Sequence, residues 1–213
     1  MIYDLLMRLP FACWVLLGAT VQLKGFTHLS TPKSVGFVYL IHIAMRLSTI
    51  TFMVLLAAAV ILRTRPSGKA SGLEPRISAL AGTLLVYGIT ALPRCELSLS
   101  LEMISTLLTM IGCIGAIIAL SQLGRSFSIM AESRQLVTTG PYGYVRHPLY
   151  LAEEIAMVGV FMQFASVWTA LLLAVQIGFQ LRRMYNEEAV LAAKFPEYAD
   201  YSRRTARLIP RIY

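Results

Sequence analysis

Long apolar runs separated by short polar stretches dominate the hydrophobic pattern of this chain. Four of these runs approach or exceed the roughly 20 residues that a helix needs to cross a bilayer, so they predict transmembrane helices. The four runs are Leu5–Leu23, Val35–Leu62, Ile77–Leu92 and Leu99–Leu123. No small-residue cleavage site follows the first run, so we interpret it as a span and not as a signal peptide.

A fifth apolar run, Leu149–Leu181, is 33 residues long. It is too long for one simple span and too short for two ordinary ones. The segment Phe164–Val167 near its middle is suited to a turn. We therefore predict a helical hairpin here, with a single long tilted helix as the alternative. The whole pattern predicts an all-α integral membrane protein with about five transmembrane segments.

The composition supports a membrane protein. Of the 213 residues, 57% are hydrophobic and 14% are charged, and the mean hydropathy is +0.66. A soluble domain is roughly 45–50% apolar and about 25% charged, so the apolar excess must face lipid. Disorder, a disulfide scaffold and a soluble Rossmann-type enzyme are thereby excluded. The three cysteines have no metal-site spacing, and we predict no metal site.

Basic residues concentrate in the loops that the pattern places on one side of the membrane. Cytoplasmic loops carry the excess of Lys and Arg, so the N-terminus, the 124–148 segment and the C-terminal tail are predicted to be cytoplasmic. The basic residues of that side include Arg8, Arg63, Arg65, Lys69, Arg76, Arg125, Arg134, Arg146 and those from Arg182 to Arg211, and the opposite loops hold Lys24, Lys33 and Arg94. Because these residues flank apolar runs and do not line one face, nucleic-acid binding is not expected.

The chain divides into two regions by residue type. Residues 1–122 are predicted to be a four-span transmembrane region, in which Ser67–Gly72 forms a short flexible connector. Residues 123–213 concentrate polar residues, glycine, proline and tyrosine. We therefore expect the chemistry in this second region, made of a loop, the membrane hairpin, a cytoplasmic C-terminal helix and the tail.

The segment that leads into the fifth apolar run is predicted to be an ordered loop. Gly140, Pro141 and Gly143 favour tight turns, and Pro148 suits the first turn of the following helix. His147 then lies at a helix N-terminus, where unpaired N–H groups favour an anion. The alternative is a capping loop anchored at the membrane interface by its tyrosines.

A second polar motif follows the same apolar run. Arg183 and Glu187 lie four residues apart and share a helix face. The alternative to a site is an exposed ion pair of small energy. Glu188 is predicted to point elsewhere and to be solvated. The run Arg203, Arg204 and Arg207 is predicted to contact lipid headgroups.

These motifs together resemble a known family. The sequence Arg146-His147-Pro148-Leu149-Tyr150, followed by Glu187-Glu188, is similar to the RHPxY…EE signature of membrane methyltransferases. That signature belongs to the isoprenylcysteine carboxyl methyltransferase family, to which the phospholipid N-methyltransferases are related. The resemblance extends from Leu123 to Pro210 and includes the motif at 195–201.

The resemblance implies that S-adenosylmethionine binds in a cytoplasm-facing pocket formed by the connecting loop and the C-terminal helix. Glu187 would reach the amino-acid part of the cofactor, and Arg183 would face the methyl acceptor. Arg146 would hold the acceptor or brace the fold, so Arg183, Arg146 and Glu187 are the candidate catalytic residues. The implied cofactor-binding residues are Gln135, Leu136, Val137, Tyr142, His147, Tyr150 and Glu187.

The implied activity is methyl transfer to a lipophilic acceptor drawn from the bilayer, first of all the carboxylate of a prenylcysteine-type substrate. The alternatives are a phospholipid or other small-amphiphile N- or O-methyltransferase and a non-catalytic membrane scaffold. The membrane would be the inner or plasma membrane in a bacterium and the endoplasmic reticulum in a eukaryote.

The sequence departs from the family pattern after Tyr150. The family often has a glycine followed by apolar residues here, whereas this chain has Glu153 and Glu154. These carboxylates either favour the positive N-terminus of a helix or handle a polar or cationic acceptor. His42 and Arg46, which share a helix face, either reach the membrane interface or form a polar gate near the acceptor path.

Overall fold

The structure, a computed structural model, describes residues 2–28, 36–89, 92–210 and 213, and this part of the chain is mostly helical. Lys33 and Arg211, which entered the orientation argument, lie outside the described residues. The helices are α1 (Ile2–His28), α2 (Phe37–Leu62), α3 (Glu74–Ile89), α4 (Leu99–Leu123), α5 (Pro148–Gln163), α6 (Val167–Lys194) and α7 (Tyr198–Arg204).

The fifth apolar run forms two helices and not one. α5 ends at Gln163 and α6 begins at Val167. The Ser166 Oγ accepts a hydrogen bond of 3.1 Å from the Thr169 N–H, which caps the start of α6. The break therefore lies where the sequence predicts the turn. α6 then continues as far as Lys194, well beyond the apolar run.

Among the described residues, two helical stretches are long and apolar enough to cross a bilayer. They are Phe37–Leu62 and Leu99–Ser126, the latter being α4 with the short turn that follows it. The count of five spans stays a prediction. Many large apolar side chains on the helices are exposed, among them Leu17, Val21, Leu40 and Ile118. Such a surface is that of a membrane protein, since lipid can cover it at no cost.

The helices pack in two groups. α1 contacts α2, α2 contacts α4, and α4 contacts α5, whereas α6 packs mainly against α3. The α4–α5 contact is close because glycines line it. A Cβ atom on Gly112 would lie 2.4 Å from the Ala156 backbone nitrogen, and one on Gly159 would lie 2.5 Å from the Ser105 carbonyl oxygen. Any side chain at either position would push the two helices apart.

The predicted flexible connector at 67–72 is instead held in place. Within it, β1 (Gly68–Lys69) pairs antiparallel with β2 (Glu132–Ser133) of the loop between α4 and α5. The Ala70 N–H donates to the Ala131 carbonyl at 2.9 Å. The prediction of flexibility was wrong, because backbone pairing with a segment more than 60 residues away fixes a stretch whose composition alone favours a loop.

Candidate active site

The loop and the C-terminal tail meet at the start of α5. A short 3₁₀ turn at Gly140–Gly143 redirects the chain, and Gly140 adopts the left-handed conformation with φ of 59°. His147 is the N-cap of α5, and Pro148 is its first residue. The tail returns alongside, because the Arg146 N–H donates to the Ala206 carbonyl at 2.8 Å. The predicted ordered loop is therefore present, and the tail covers it.

These elements enclose a cavity of about 780 Å³, including the part that is open to solvent. The residues predicted from the sequence that line it are Gln135, Leu136, Val137, Tyr142, Arg146, His147, Tyr150 and Glu187. Arg183 does not line the cavity; it is buried behind Tyr150 and Glu187. The structure thus brings together all of the predicted cofactor residues.

Glu187 is held by two neighbours on one side only. The Tyr150 hydroxyl and the Arg183 Nε–H, at 3.2 Å, both donate to its Oε1. The Arg183 guanidinium also lies over the Tyr150 ring, 4.9 Å from its centroid. Among the described residues, the second carboxylate oxygen of Glu187 has no hydrogen-bond partner. Glu187 therefore offers the cavity a fixed, negatively charged acceptor.

Glu188 lies at the centre of an ionic group, which we call the Glu188 cluster and which also contains Arg146, His147 and Arg207. The Arg146 Nε–H donates to Glu188 Oε1 at 2.9 Å, and the Arg207 Nη2–H donates to Oε2 at 2.7 Å. The His147 Nε2 lies 3.1 Å from Oε1. Burial alone would raise the pKa of Glu188, but the bonds from His147 and Arg207 and the charge of Arg146 lower that pKa to about 2.

Two predictions are corrected by this cluster. Glu188 was expected to be solvated, yet it is largely buried and fully paired. Arg207 was expected to contact lipid headgroups, yet it binds Glu188. Both differences have one cause: the tail folds back over α6, so that residues distant in sequence reach the helix face that seemed free.

Arg146 connects this cluster to the tail. Its Nη1–H groups donate to the Ser202 carbonyl at 2.6 Å and to the Thr205 carbonyl at 2.8 Å. These bonds satisfy the carbonyls at the end of α7. Of the two roles predicted for Arg146, bracing is the one for which contacts are present. Contact with a methyl acceptor stays a prediction.

Tyr142 presents a second unpaired group. Its hydroxyl oxygen is buried and has no hydrogen-bond partner among the described residues. Burial, together with the negative charge of Glu187, raises the pKa of Tyr142 well above its ordinary value, so the hydroxyl keeps its proton. The Tyr201 hydroxyl holds the Tyr142 backbone by donating to its carbonyl at 2.7 Å. A buried O–H group without an acceptor is suited to a polar ligand.

Sequence reasoning missed several residues that line the cavity. They are mainly Ser128, Glu132, Leu191, Tyr198 and Tyr201. The two tyrosines belong to the motif at 195–201, whose aromatic spacing predicts packing under the membrane face. Both are buried against the cavity instead. The motif itself was the available signal, but its partner surface is formed by the loop and not by lipid.

The two additional glutamates bind across to α6. The Gln180 Nε2–H donates to Glu153 Oε2, and the Gln176 Nε2–H donates to Glu154 Oε1, both at 3.0 Å. No described group of three or more His, Cys, Asp or Glu side chains is arranged to hold a metal ion.

His42 and Arg46 lie elsewhere on α2. His42 Nε2 is 3.2 Å from Glu102 Oε1, and the Arg46 Nη1–H donates to Gln22 Oε1 at 3.2 Å. Neither residue lines the cavity. They join α2 to its two neighbouring helices.

Comparison with known proteins bears on this site directly. Residues 104–193 match the family model described as the isoprenylcysteine carboxyl methyltransferase (ICMT) family. The resemblance to the ICMT family is confirmed. The matched stretch contains α5, most of α6 and the loop that lines the cavity, so the ICMT-like part of the chain is the part that carries the site.

Among curated proteins, the chain is 33% identical over 114 residues to the nickel-cobalt-cadmium resistance protein NccN of Alcaligenes xylosoxydans, covering 51% of this chain and 53% of that protein. It is 35% identical over 101 residues to the protein-S-isoprenylcysteine O-methyltransferase of Schizosaccharomyces pombe, covering 44% and 43%. The chain spans about half the length of these curated relatives.

One solved structure is similar over almost the whole chain. It is a eukaryotic intramembrane Ras methyltransferase, ICMT, with a TM-score of 0.51 and 15% identity over 99% of this chain and 97% of that one. The likeness shows a shared fold. It extends to residues 1–103, which the family model does not match.

Proposed function

We propose that the protein is an integral membrane methyltransferase that uses S-adenosylmethionine and is similar in activity to ICMT. The acceptor is a lipophilic or membrane-associated carboxylate, first of all that of a prenylcysteine-type substrate. This proposal draws its substrate class from the ICMT family match and from the printed name of the fission-yeast relative.

The observation that carries the proposal is the pair of unsatisfied groups in the cavity. The carboxylate oxygen Oε2 of Glu187, which has no hydrogen-bond partner among the described residues, can accept from a donor, and the buried Tyr142 hydroxyl can donate to an acceptor. The amino-acid part of S-adenosylmethionine carries an ammonium group and a carboxylate, and its adenine ring carries further acceptors. The residues present therefore fit the cofactor, with Glu187 holding the ammonium group and Tyr142 donating to an acceptor.

Methyl transfer requires little of the chain beyond positioning the cofactor and the acceptor. S-adenosylmethionine supplies a methyl group bonded to a sulfonium, which is an activated donor. A carboxylate acceptor is ionised at neutral pH and requires no base. Arg183 would orient that carboxylate through charge-assisted hydrogen bonds, while Glu187 and Tyr150 fix the guanidinium. Arg146 would support the site by holding the tail.

In this proposal, residues 123–213 carry the chemistry and residues 1–122 form its membrane-embedded support. The cavity, the chain termini and most basic loops face the cytoplasm. The acceptor enters from the bilayer and the cofactor enters from the aqueous side.

Calorimetric titration of the detergent-purified protein with S-adenosylhomocysteine tests the cofactor site. We expect micromolar binding that becomes at least 10-fold weaker in Glu187→Gln, since the substitution removes the charge that would hold the ammonium group. Glu197→Gln is the matched control, because Glu197 is exposed at the start of α7 and outside the cavity. An absence of binding to the folded wild type would favour the scaffold alternative.

Transfer of a labelled methyl group to a prenylcysteine analogue tests the reaction. A methyl ester releases its label as methanol in mild alkali, whereas an N-methyl group keeps it. Alkali-labile label is expected. Alkali-stable label would favour the N-methyltransferase alternative. Cofactor binding without methyl transfer would reject the prenylcysteine acceptor but would leave the proposed cofactor site standing.

A further inference from the structure

The space between α5 and α6 contains an unusual set of polar side chains below the cavity. We call it the Glu–Gln layer, and it consists of Glu153 and Glu154 on α5 with Gln176 and Gln180 on α6. Both glutamates lie inside the apolar run Leu149–Leu181, in the second turn of α5. Ionisable residues at such positions are costly, and they are generally functional.

The position of the layer relates it to the site. Glu153 follows Tyr150 by three residues on α5, and Gln180 precedes Arg183 by three residues on α6. Residues three apart lie on the same helix face, about 4.5 Å apart along the axis. Because α5 and α6 run antiparallel, the Glu153–Gln180 pair lies one turn below the Tyr150–Arg183 contact. Glu154 and Gln176 lie beyond it.

The layer is short of hydrogen-bond donors. Each glutamate accepts one hydrogen bond from a glutamine, although an ionised carboxylate can accept about four. The amide oxygens of Gln176 and Gln180 are buried and have no partner among the described residues. The nearby cation Arg183 is directed elsewhere, to Glu187, to the Thr83 hydroxyl at 3.4 Å and to the Ser128 carbonyl at 3.4 Å.

The two glutamines are almost fully buried, each 2% exposed, whereas both glutamates keep part of their surface open. The glutamine amides are therefore fixed, and the carboxylates are accessible from the space between the helices. The two buried amide oxygens, which have no partner among the described residues, add to the shortage of donors in the layer.

We propose that the Glu–Gln layer binds a protonated amine on the methyl acceptor, next to the carboxylate that Arg183 orients. An ammonium group carries a positive charge and three N–H donors, which are what the two accessible carboxylates lack. The inference rests on the proposed function and narrows the acceptor to an amphiphile with an amine close to its carboxylate. The offset of one turn suits a head group in which the amine and the carboxylate are attached to the same carbon.

Two acceptors that differ only in the amine test the proposal: S-farnesylcysteine and S-farnesyl-3-thiopropionate. We would measure the binding of each to the wild type in detergent by calorimetry, with S-adenosylhomocysteine and EDTA present. At least 10-fold tighter binding of the amine-bearing compound is expected. Equal affinities would overturn the proposal.

The variants Glu153→Gln and Glu153→Gln/Glu154→Gln should reduce the preference to less than 2-fold by weakening only the amine-bearing ligand. Both should fold, since they remove charge from the membrane interior and keep the side-chain shape. Glu102→Gln on α4, remote from the layer, is the matched control and should keep the preference. A preference that survives in the double variant would reject the layer as its source.

An amine on a phospholipid headgroup offers the same chemistry. Phosphatidylethanolamine added to the micelles should not weaken binding of S-farnesylcysteine more than phosphatidylcholine does. Stronger competition by phosphatidylethanolamine would assign the layer to lipid and overturn the assignment to the acceptor. Failure of the proposed function would appear separately, as a lack of S-adenosylhomocysteine binding in the same samples.

Discussion

The Glu188 cluster and the Glu–Gln layer both contain partly buried carboxylates on α5 or α6, but these carboxylates are hydrogen-bonded to different degrees. Glu188 receives four hydrogen bonds from three basic residues, and its pKa falls to about 2. Glu153 and Glu154 each receive one, from a neutral amide. A saturated carboxylate locks structure, whereas an unsaturated one retains capacity for a ligand.

The largest expected loss of stability is that of the Glu188→Ala variant. The change leaves the guanidinium groups of Arg146 and Arg207 partly buried without their anion, which costs about 3–5 kcal/mol for a broken buried pair. The apparent unfolding midpoint in detergent should fall by about 10 °C. Glu197→Ala, an equivalent truncation of an exposed glutamate, should leave it within about 2 °C. A decrease of similar size in both variants would contradict the stabilising role assigned to Glu188.

Acid should weaken the same cluster in a defined pH range. Because the pKa of Glu188 is lower in the folded state, its contribution to stability is complete above the ordinary pKa of about 4.5. The contribution is lost as the pH falls towards 2. The difference in unfolding midpoint between wild type and Glu188→Gln should therefore shrink from pH 5 to pH 2. A difference that grows on acidification would contradict the assigned direction of the pKa shift.

A smaller effect is expected for Tyr201→Phe. This variant loses the hydrogen bond from the tail to the Tyr142 carbonyl, which is worth about 1 kcal/mol. S-adenosylhomocysteine should bind a few-fold more weakly, because Tyr142 is then less firmly positioned. Tyr185→Phe, a change at an exposed position on α6, provides the comparison and should bind like the wild type.

The smallest change in stability, and one of opposite sign to that of Glu188→Ala, is expected for Glu153→Gln. Removing a poorly compensated charge should leave the unfolding midpoint unchanged or raise it by up to about 2 °C. Measuring the unfolding midpoints of Glu188→Ala and Glu153→Gln in the same detergent compares the two groups of carboxylates directly. A clear loss of stability in Glu153→Gln would mean that the layer is a structural element like the cluster.

Much of the fold follows from local pattern. The apolar run Leu99–Leu123 has the bounds of α4, and the predicted turn near Ala165 separates α5 from α6. These features depend on residues that are close in sequence. The pairing of β1 with β2 was not predicted, because it depends on a segment that folding brings back from far along the chain.

The candidate site likewise combines features that local sequence predicts with contacts that only the folded chain brings together. The residues carried over from the family signature, such as Tyr142 and Glu187, line one cavity. Helical spacing correctly paired Arg183 with Glu187, and it correctly separated Glu188 from that face. It could not indicate what covers Glu188, since Arg207 lies 19 residues later and arrives through the return of the tail.

The glycine contact between α4 and α5 makes the site vulnerable at a distance. His147 and Tyr150 are carried by the first turn of α5, whereas Gly159 lies near the other end of the same helix. In a genetic screen for inactive variants, substitutions at Gly112 and Gly159 should therefore appear beside those at the cavity residues. Both glycines lie outside the cavity, so a loss of activity there would report helix packing and not contact with a ligand.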